Sequence, residues 1–384
     1  MTRKPVKTVH YIETIGALTE NWIYNQVAEL GKNVTKYYAI ERRNEDSIPL
    51  NNLRCLREDL SYFPLFLNRA WNKLFHRYPQ FLIWLWKDRP NLIHAHFGPC
   101  GHYILPYASW LKIPLITSFY GFDAYLLPRK YPGWHNKYKK LFRQGGLFLV
   151  EGPAMQKKLI ELGCPSEKVI VHPIGVKLGR YMFRARKPDS EIRLLVCGRF
   201  VEKKGIPYAI EALKRVASKT KASVRLTIVG DSGSDGTLTD EKRNILNSIE
   251  KYKVGDVVTI TGYIPHDELI RIAYEHHIFL APSVHASDGD AEGGFPVILT
   301  EILATGMPVV AFDHCDIPEI IQNGTTGFLV PEGDVDALAE RLLYLIEHPE
   351  IWPEMGRAGR AFVEANYDID KLNDRLVEIY RKLL

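Results

Sequence analysis

Short apolar runs alternate with amphipathic stretches along the whole chain. In the first half the apolar runs predict six strands, at Thr8–Ile12, Thr35–Ile40, Leu92–Ala95, Leu115–Phe119, Leu147–Val150 and Val169–His172. Helical patterns lie between them, as at Asn21–Leu30 and Ala154–Leu162. Continuous apolar strands joined by helices are typical of parallel sheets that are covered on both faces.

The second half repeats this rhythm. We predict strands at Arg193–Cys197, Arg225–Val229, Val257–Ile260, Ile278–Ala281 and Pro308–Ala311. The predicted helices between them are Ile206–Ser218, Asp240–Lys251, His266–Tyr274 and Val297–Ala304. A length of 384 residues suits two domains better than a single core.

The predicted fold class is therefore α/β, with two Rossmann-like, doubly wound parallel-sheet domains. We place the first domain at residues 1–178 and the second at 191–355, joined by the polar stretch Lys177–Glu191. The helical tail at 356–384 is expected to pack back on the first domain. Ligands of open parallel sheets bind at the carboxyl ends of the strands, so two such domains facing one another predict a site in the cleft between them.

Composition places the chain among ordinary globular proteins, with 46% apolar and 25% charged residues. Its five cysteines are scattered and form no Cys-x-x-Cys pair, which argues against a zinc ribbon or a disulfide framework and favours a reducing compartment. The N-terminus lacks the long apolar core of a signal peptide, and no apolar stretch approaches the ~20 residues that span a bilayer. We therefore expect a cytoplasmic protein.

Charge is distributed unevenly along the chain. The net charge of +5 divides into +13 for residues 1–180 and −8 for residues 181–384. A basic half predicts contact with an anionic surface or ligand, but no nucleic-acid-binding signature is present, so we favour anionic lipid over nucleic acid. Residues 62–86 carry Arg69, Lys73 and Arg77 on one helical face among aromatic residues. Such a segment suits peripheral contact with an anionic membrane, and the alternative is a core helix with a solvated edge.

The first candidate site follows the strand that ends at Cys197. It reads Gly198-Arg199-Phe200-Val201-Glu202-Lys203-Lys204-Gly205, and a helix comes next. A glycine turn with cations before a helix N-terminus is a good anion site, because free backbone N–H groups and the helix dipole add to the charge of Arg199 and Lys204. The alternative is a solvated basic turn, an interpretation that suits Lys203.

The second candidate site follows the strand that ends at Ala281. It reads Glu292-Gly293-Gly294-Phe295-Pro296, and we expect a helix to begin near Pro296 and to carry Glu301 a turn and a half further on. The glycines permit close approach of the backbone to a ligand. Glu301 is suited to bind ribose hydroxyls and Glu292 to bind those of a transferred sugar, whereas the alternative leaves both as surface acids.

Together these motifs resemble the retaining glycosyltransferase family 4, which has the GT-B fold. The similarity continues through Cys315-Asp316-Ile317-Pro318-Glu319 and Gly324-Thr325-Thr326-Gly327, and so covers nearly all of the second half. Within the family, the sequence is similar to transferases that build exopolysaccharides such as colanic acid.

The resemblance implies roles for individual residues. Arg199 and Lys204 would bind the donor diphosphate beside Gly198, and the loop around Tyr263 would cover the base. Gly293, Gly294, Phe295 and Pro296 would line the phosphate or sugar, with Glu301 on the ribose. The family's Glu-x7-Glu spacing is stretched by one residue between Glu292 and Glu301. Either the glycines bulge and return Glu292 to its place, or its role is altered.

The acceptor side carries weaker matches. Gly16 stands in a loop where the family has paired glycines, and a lone glycine also suits a simple turn. Tyr120-Gly121-Phe122-Asp123 resembles the family's His-Gly-x-Asp, with Tyr120 in place of the histidine that helps to position the donor sugar. Asp123 suits either a sugar contact or a helix cap. We interpret His94 and His96 as structural, interpret Asp288-Gly289-Asp290 as a loop, and predict no metal.

The predicted function is transfer of a sugar, with retention, from a UDP- or GDP-type donor to a hydroxyl of a glycan or lipid-linked glycan in polysaccharide biosynthesis. The donor is a substrate, so no cofactor is implied. A Rossmann oxidoreductase would need Gly-x-Gly-x-x-Gly after Ile12, and that motif is absent. A sugar-nucleotide epimerase does not match the glutamate and histidine pattern. A nucleotide-sugar-binding protein of the same fold with altered catalysis remains the alternative, because Tyr120 and the stretched spacing depart from the family.

Overall fold

A computed structural model describes residues 5–16, 21–28, 30, 34–43, 52–232 and 239–384. Its strands are β1 Thr8–Tyr11, β2 Thr14–Ile15, β3 Val34–Ala39, β4 Glu41–Arg42, β5 Leu53–Cys55, β6 Leu92–His96, β7 Leu115–Ser118, β8 Leu147–Val150, β9 Val169–Val171, β10 Glu191–Cys197, β11 Ser223–Val229, β12 Val258–Gly262, β13 Ile278–Ala281, β14 Val309–Asp313 and β15 Gly327–Pro331.

Its helices are α1 Asn21–Ala28, α2 Leu56–Asp59, α3 Tyr62–Phe75, α4 Gln80–Asp88, α5 Gly98–Leu111, α6 Leu126–Lys130, α7 Gly133–Gln144, α8 Pro153–Glu161, α9 Ile206–Ala217, α10 Asp240–Tyr252, α11 His266–Glu275, α12 Ile298–Thr305, α13 Val335–Glu347, α14 Trp352–Asn366 and α15 Ile369–Leu383.

The chain divides into two compact units. Unit 1 comprises Met1–Gly175 together with Ile369–Leu384, and unit 2 comprises Val176–Asp368. In this division unit 2 begins before the predicted linker, and of the tail at 356–384 only the last helix, α15, belongs to unit 1.

Unit 1 contains a seven-stranded sheet in the order β5-β3-β1-β6-β7-β8-β9. Each pairing in it is parallel. The chain fills one side of the sheet from β1 outward and then returns to fill the other, so the strand order reverses between β1 and β6. Crevices at the carboxyl ends of strands at such a reversal are the usual ligand sites of doubly wound sheets.

Both faces of this sheet are buried, as the continuous apolar strands predict. Along β1, Val9 and Tyr11 pack into one core with α4 and α5. The opposite core includes Ile116 of β7 and, from α15, Leu376 and Tyr380. The Tyr380 hydroxyl lies 2.7 Å from Nδ1 of the buried His94 in β6. The C-terminal helix is therefore part of the fold of unit 1.

Unit 2 repeats the design with six strands in the order β12-β11-β10-β13-β14-β15. All five pairings are parallel. Residues of β10 alternate between its two cores, with Leu194 and Val196 on one face and Leu195 on the other. The strand order reverses between β10 and β13. The two parallel sheets confirm the predicted α/β class.

The polar stretch Lys177–Glu191 packs closely on unit 2. Its Arg186 is only 3% exposed, because the guanidinium donates hydrogen bonds to the carbonyls of Ala273, His276 and Thr305. Tyr181 is 5% exposed. The burial of Arg186 could not be predicted from its residue type, because charged residues are usually exposed. A guanidinium can be buried when carbonyl oxygens accept hydrogen bonds from its N–H groups.

Replacing Tyr380 by Phe should lower the stability of unit 1 by about 1–3 kcal/mol, because His94 Nδ1 would lose its partner in a buried site without a cavity being formed. Denaturant unfolding followed by tryptophan fluorescence measures the change. Tyr344→Phe on the partly exposed α13 of unit 2 serves as the control and should have little effect. Equal stability of Tyr380→Phe and the wild-type protein would show that the α15 hydrogen bond contributes nothing.

Candidate active site

Both sequence-predicted donor motifs of unit 2 lie at one point of its sheet. The turn Gly198–Gly205 follows β10, and the loop 282–297 follows β13. These two strands are hydrogen-bonded neighbours on either side of the strand-order reversal. The motifs therefore meet at the carboxyl ends of adjacent strands, where an open parallel sheet binds its ligands.

Glycine determines how closely the turn and the loop approach each other. Gly205 has a φ of +60°, and a Cβ there would lie 1.8 Å from the carbonyl oxygen of Pro282, which directly follows β13. No other residue fits that position without moving the backbone. Lys204 extends across Gly198, whose Cβ would lie 3.0 Å from the Lys204 Cδ. The Lys204 ammonium is thereby directed to the edge of the sheet.

Lys204 and Glu292 form an ion pair at this edge. The Lys204 Nζ donates to both carboxylate oxygens of Glu292, at 2.8 and 2.9 Å. Ser283 donates a further hydrogen bond of 2.9 Å to Oε1 of Glu292. Burial alone would raise the pKa of Glu292, but the ammonium groups of Lys204 and Lys203 outweigh it and lower that pKa to about 2. The carboxylate is charged at every physiological pH.

The glycine pair accommodates the extra residue between Glu292 and Glu301. Gly293 takes a φ of +82°, a left-handed conformation that glycine accepts readily, and the preceding Glu292 is directed onto Lys204. Whether the glycines return Glu292 to the family's position, or its role is altered, stays open. A role for Glu292 toward a transferred sugar stays a prediction.

The helix after the loop begins later than the sequence predicts. α12 starts at Ile298 with Val297 as its N-cap, so Pro296 lies outside the helix. Glu301 therefore sits in the first turn, where the helix dipole favours a carboxylate, and not a turn and a half along. The Phe295 side chain is 4% exposed and packs edge-on against Tyr367. The Phe295 side chain thus faces the core, and contact of its backbone or of Gly294 with a ligand stays a prediction.

Glu301 is held by two residues that the sequence analysis did not single out. His266 Nε2 lies 3.0 Å from the carboxylate, and the Tyr181 hydroxyl donates to it at 2.9 Å. The hydrogen bond to Glu301 is the main cause that raises the pKa of His266. The Glu301 side chain is 12% exposed, so the alternative of an exposed helix acid is wrong.

Lys203 is not part of a solvated turn. Its side chain is 6% exposed, and its Nζ lies 3.0 Å from an Asp290 oxygen and donates to the carbonyl of Ala291 at 2.9 Å. This second ion pair connects the turn after β10 to the segment Asp288-Gly289-Asp290, which the sequence analysis interpreted as a loop without a role. Lys203 therefore stabilises the loop, whereas the adjacent Lys204 lies at the candidate site.

Arg199 and Tyr263 complete the rim of this site. Arg199 is exposed, and in the described part of the chain its guanidinium takes part in no ion pair. Its charge reaches the Tyr263 hydroxyl, whose pKa is raised by burial and partly lowered again by Arg199. Tyr263 follows Gly262, whose carbonyl accepts a hydrogen bond from the Gly230 amide. Residues at the carboxyl ends of β10, β11 and β12, which are neighbours in the sheet, thus form one rim of the site.

In unit 1, Asp123 acts as a backbone cap. Its carboxylate accepts hydrogen bonds from the amides of Gly98, at the start of α5, and Tyr120. Burial raises the pKa of Asp123 to about 6, although these amide hydrogen bonds oppose the shift. Gly121 has a φ of +101°, which lets the chain turn after β7. The geometry favours the helix-cap alternative over a sugar contact for Asp123.

Tyr120 is coupled to buried histidines. Its hydroxyl lies 2.7 Å from Nδ1 of His96, whose Nε2 lies 3.0 Å from Nδ1 of His10. His94 is bonded at both ring nitrogens, to Tyr380 and Ser118. Burial lowers the pKa of His96 to about 3, so the ring is neutral. One nitrogen from each of His10, His94 and His96 lies within 4.8 Å of the others, but four hydrogen bonds already engage the three rings.

Gly16 occupies a close approach. Its φ is +89°, and a Cβ there would lie 2.0 Å from the carbonyl oxygen of Arg43. A turn thus explains this glycine, while Ala17–Glu20 of the same loop lie outside the described residues.

The segment at 62–86 forms two helices with different environments. α4 buries Phe81, Trp84 and Leu85 in the core of unit 1. On α3 only Asn68 is buried, and large apolar side chains such as Phe63 and Leu74 are 67% and 74% exposed. The alternative of a core helix with a solvated edge is therefore wrong for α3, because most of its large apolar residues are exposed and only Leu65 packs partly against the core.

Two family models match the chain, one for each half. The model "Glycosyltransferase Family 4" matches residues 20–180, and "Glycosyl transferases group 1" matches residues 180–362. Together with the two doubly wound units, these matches define a glycosyltransferase of the GT-B fold. The chain belongs to glycosyltransferase family 4, as the motifs around Lys204 and Glu301 predict.

The chain is also similar to individual glycosyltransferases. It is 33% identical to the putative colanic acid biosynthesis glycosyltransferase WcaL of Escherichia coli, over 77% of this chain and 71% of that one. It is 35% identical to the amylovoran biosynthesis glycosyltransferase AmsK of Erwinia amylovora, over 76% and 70%. The structure of Anabaena Alr3699/HepE in complex with UDP-glucose shares the fold with a TM-score of 0.77 at 16% identity, covering 98% of this chain and 99% of that one.

Glu292→Gln should make the free energy of unfolding less dependent on pH in the acid range. Because the folded-state pKa of Glu292 is depressed to about 2, its stabilising contribution is present above its ordinary pKa of about 4.5 and disappears as the pH falls through 2. Thermal unfolding measured between pH 7 and pH 2 should show the wild-type protein losing about 3 kcal/mol that the variant does not lose. Glu250→Gln, an exposed carboxylate on α10, should keep the wild-type slope. Parallel profiles for Glu292→Gln and the wild-type protein would contradict the buried ion pair.

Proposed function

We propose that the protein transfers a hexosyl group, with retention of anomeric configuration, from a nucleoside diphosphate sugar to a hydroxyl of a glycan acceptor in exopolysaccharide synthesis. The observation that carries this proposal is the meeting of Lys204, Arg199 and Glu292 at the carboxyl ends of β10 and β13. The names of WcaL and AmsK support the exopolysaccharide role, and the UDP-glucose in the HepE structure supports a uridine donor.

The chemistry follows from where negative charge develops. As the bond between the sugar and the diphosphate breaks, charge accumulates on the departing phosphate oxygens. Lys204 and Arg199 are cations held at the edge of the sheet, and such preorganised charges stabilise a developing anion by several kcal/mol. The exposed guanidinium of Arg199 is free to contact two phosphate oxygens at once, whereas Lys204 adds a single point charge.

Glu292 keeps Lys204 in place before the donor arrives. The Lys204 side chain is 17% exposed, and its ammonium donates two hydrogen bonds to Glu292, so one further N–H is available to a phosphate oxygen. Glu301, fixed by His266 and Tyr181, offers carboxylate oxygens to ribose hydroxyls. Diphosphate and ribose are adjacent in every nucleoside diphosphate, which matches a cationic group on the turn after β10 and an acidic group in the first turn of α12.

The test is turnover with labelled donors. Arg199→Ala and Lys204→Ala should each lower kcat at least 100-fold with either UDP- or GDP-linked hexoses, because each removes charge from the leaving group. Arg225→Ala serves as the matched control, since Arg225 lies near the amino end of β11 on the opposite edge of the same sheet and should leave kcat unchanged. NMR of the product should show the anomeric configuration of the donor.

Three outcomes would contradict the proposal. Wild-type rates in both cation variants would remove the phosphate role. Inversion of configuration would remove the retaining mechanism. Binding of the donor without release of nucleoside diphosphate would favour a nucleotide-sugar-binding protein with altered catalysis, in keeping with Tyr120 at the family's histidine position.

We also propose that α3 makes peripheral contact with an anionic membrane. No helix in the described ranges is long and apolar enough to cross a bilayer. α3 instead exposes aromatic and aliphatic side chains, among them Phe63 and Trp71, beside the basic Arg69 and Lys73. An exposed amphipathic helix with cations suits insertion into the headgroup region of anionic lipid.

Leu74→Ser should weaken binding to phosphatidylglycerol vesicles about 10-fold, because one exposed leucine contributes about 1.5–3 kcal/mol when it is buried in lipid. Co-sedimentation measures the partition. Leu246→Ser on α10 of unit 2, which also removes an exposed leucine, should have no effect. If the two variants bind alike, or if the wild-type protein ignores the vesicles, α3 is not a membrane contact.

A further inference from the structure

Two histidines and a cysteine come together at the carboxyl edge of the unit 2 sheet. His285 belongs to the loop after β13, and His314 and Cys315 directly follow β14. Because β13 and β14 are hydrogen-bonded neighbours, their following segments meet at one edge of the sheet. One ligand atom from each of the three side chains lies within 4.8 Å of the others. Imidazole and thiolate are ligands that Zn²⁺ prefers, whereas Mg²⁺ and Ca²⁺ prefer oxygen.

A single carboxylate holds both histidine rings in place. Glu332 directly follows β15, and its Oε2 lies 2.9 Å from Nδ1 of His285 and 2.9 Å from Nδ1 of His314. A carboxylate is ionised at neutral pH and only accepts hydrogen bonds, so both Nδ1 atoms carry the hydrogen and both Nε2 atoms present a lone pair. A histidine that ligates a metal usually donates its other ring N–H to a carboxylate in this way. The hydrogen bonds therefore select the tautomer that ligates a metal through Nε2.

Cys315 already lies beside the ligating nitrogen of His314. Its Sγ is 3.2 Å from Nε2 of His314. Nitrogen and sulfur atoms on one tetrahedral zinc ion lie about 3.5 Å apart, because the Zn–N and Zn–S bonds are about 2.0 and 2.3 Å long. The amide of Glu292 approaches the same nitrogen at 3.3 Å. A metal ion would replace the thiol hydrogen and this amide at the lone pair.

The cluster is fixed on its inner side and open on its outer side. The His314 side chain is 0% exposed, whereas the His285 side chain is 55% exposed. Cys315 has a φ of +49°, a left-handed conformation that is uncommon for a residue with this side chain. Backbone strain of this kind persists where the surrounding structure enforces it, and it is concentrated at ligand sites. An ion from solvent reaches the cluster past His285.

The buried histidines of unit 1 lack this arrangement. Both ring nitrogens of His94 already have partners, at Tyr380 and Ser118. Both nitrogens of His96 do so as well, at Tyr120 and His10. A metal ion there would break hydrogen bonds inside the core, whereas the cluster in unit 2 keeps its bonds to Glu332 when both Nε2 atoms bind an ion.

We propose that His285, His314 and Cys315 bind one Zn²⁺ ion, through Nε2 of each ring and the thiolate sulfur, with Glu332 orienting both rings. Binding releases the thiol proton of Cys315 to solvent, and a water molecule completes the four-coordinate site. The ion connects the loops after β13 and β14 and lies beside the backbone of Glu292. The proposal departs from the sequence prediction that no metal is bound, and it does not depend on the transferase function.

The test measures zinc binding to the full chain, prepared without a histidine tag and freed of metal by a chelator. Competition with a chromophoric chelator should show one tightly bound Zn²⁺ ion per chain. Cys315→Ser and His285→Asn should each weaken the affinity at least about 10-fold, because the loss of a mere partner of a ligand already costs about that much. His348→Asn is the matched control, since His348 is also exposed and bonded to a glutamate, and it should bind zinc like the wild-type protein.

Cobalt substitution reports the ligands directly. Co²⁺ in the site should give the visible bands of a tetrahedral ion and a thiolate-to-cobalt charge-transfer band in the near ultraviolet. Cys315→Ser should abolish the charge-transfer band, whereas His348→Asn should retain it. Failure of the wild-type chain to bind micromolar zinc would overturn the proposal and leave Cys315 as a hydrogen-bond partner of His314. Wild-type affinity in both Cys315→Ser and His285→Asn, or an octahedral cobalt spectrum without a sulfur band, would overturn it as well.

Discussion

The structure depends most on the way parallel strands end together. β10 and β13 are neighbours in the sheet although 80 residues lie between them along the chain, and their following loops leave at the same edge. The ion pairs Lys204–Glu292 and Lys203–Asp290 connect those loops, and Gly205 permits the contact by bringing its backbone against the carbonyl of Pro282. Without this arrangement the cations of the first motif and the acids of the second would have no common site.

In unit 1 the ends of parallel strands also meet at one edge of the sheet, but the residues at that edge are of different types. Its strand order also reverses next to the first strand, and a cavity at β1 and β6 stands where the donor motifs stand in unit 2. In unit 2 the edge carries charged residues in short loops, suited to phosphate. In unit 1 it carries this cavity of about 620 Å³, lined in part by Tyr11, Tyr103 and Trp134. One fold used twice thus presents two chemically unlike edges.

Much of this was predictable because it is local. Continuous apolar runs separated by helical patterns predict eleven of the thirteen described strands of the two large sheets to within two residues, but the edge strands β5 and β15 were not predicted. The glycine-rich turns after Cys197 and Ala281 predict a phosphate site. The sequence assigned the phosphate to Lys204 and a solvated turn to Lys203, but it could not show that Lys203 is buried against Asp290, since adjacent lysines differ only in the direction that the turn gives them. α12 begins at Ile298, two residues after the predicted start near Pro296, with Val297 as its N-cap. Glu301 therefore lies in the first turn of the helix.

Other features needed the tertiary fold. His266 and Tyr181 reach Glu301 from 35 and 120 residues away, and nothing local marks either as a partner. Arg186 belongs to a polar stretch, yet its donors are satisfied by carbonyls that the sequence cannot place. The exposure of α3 beside the burial of α4 likewise follows from packing, because both helices are rich in aromatic residues.

The most direct measurement is a crystal structure with a bound nucleoside diphosphate. The account predicts that the phosphate oxygens lie within hydrogen-bonding distance of Lys204 Nζ and the Arg199 guanidinium, with the ribose hydroxyls on Glu301. A diphosphate bound elsewhere, with Lys204 contacting only Glu292, would contradict it.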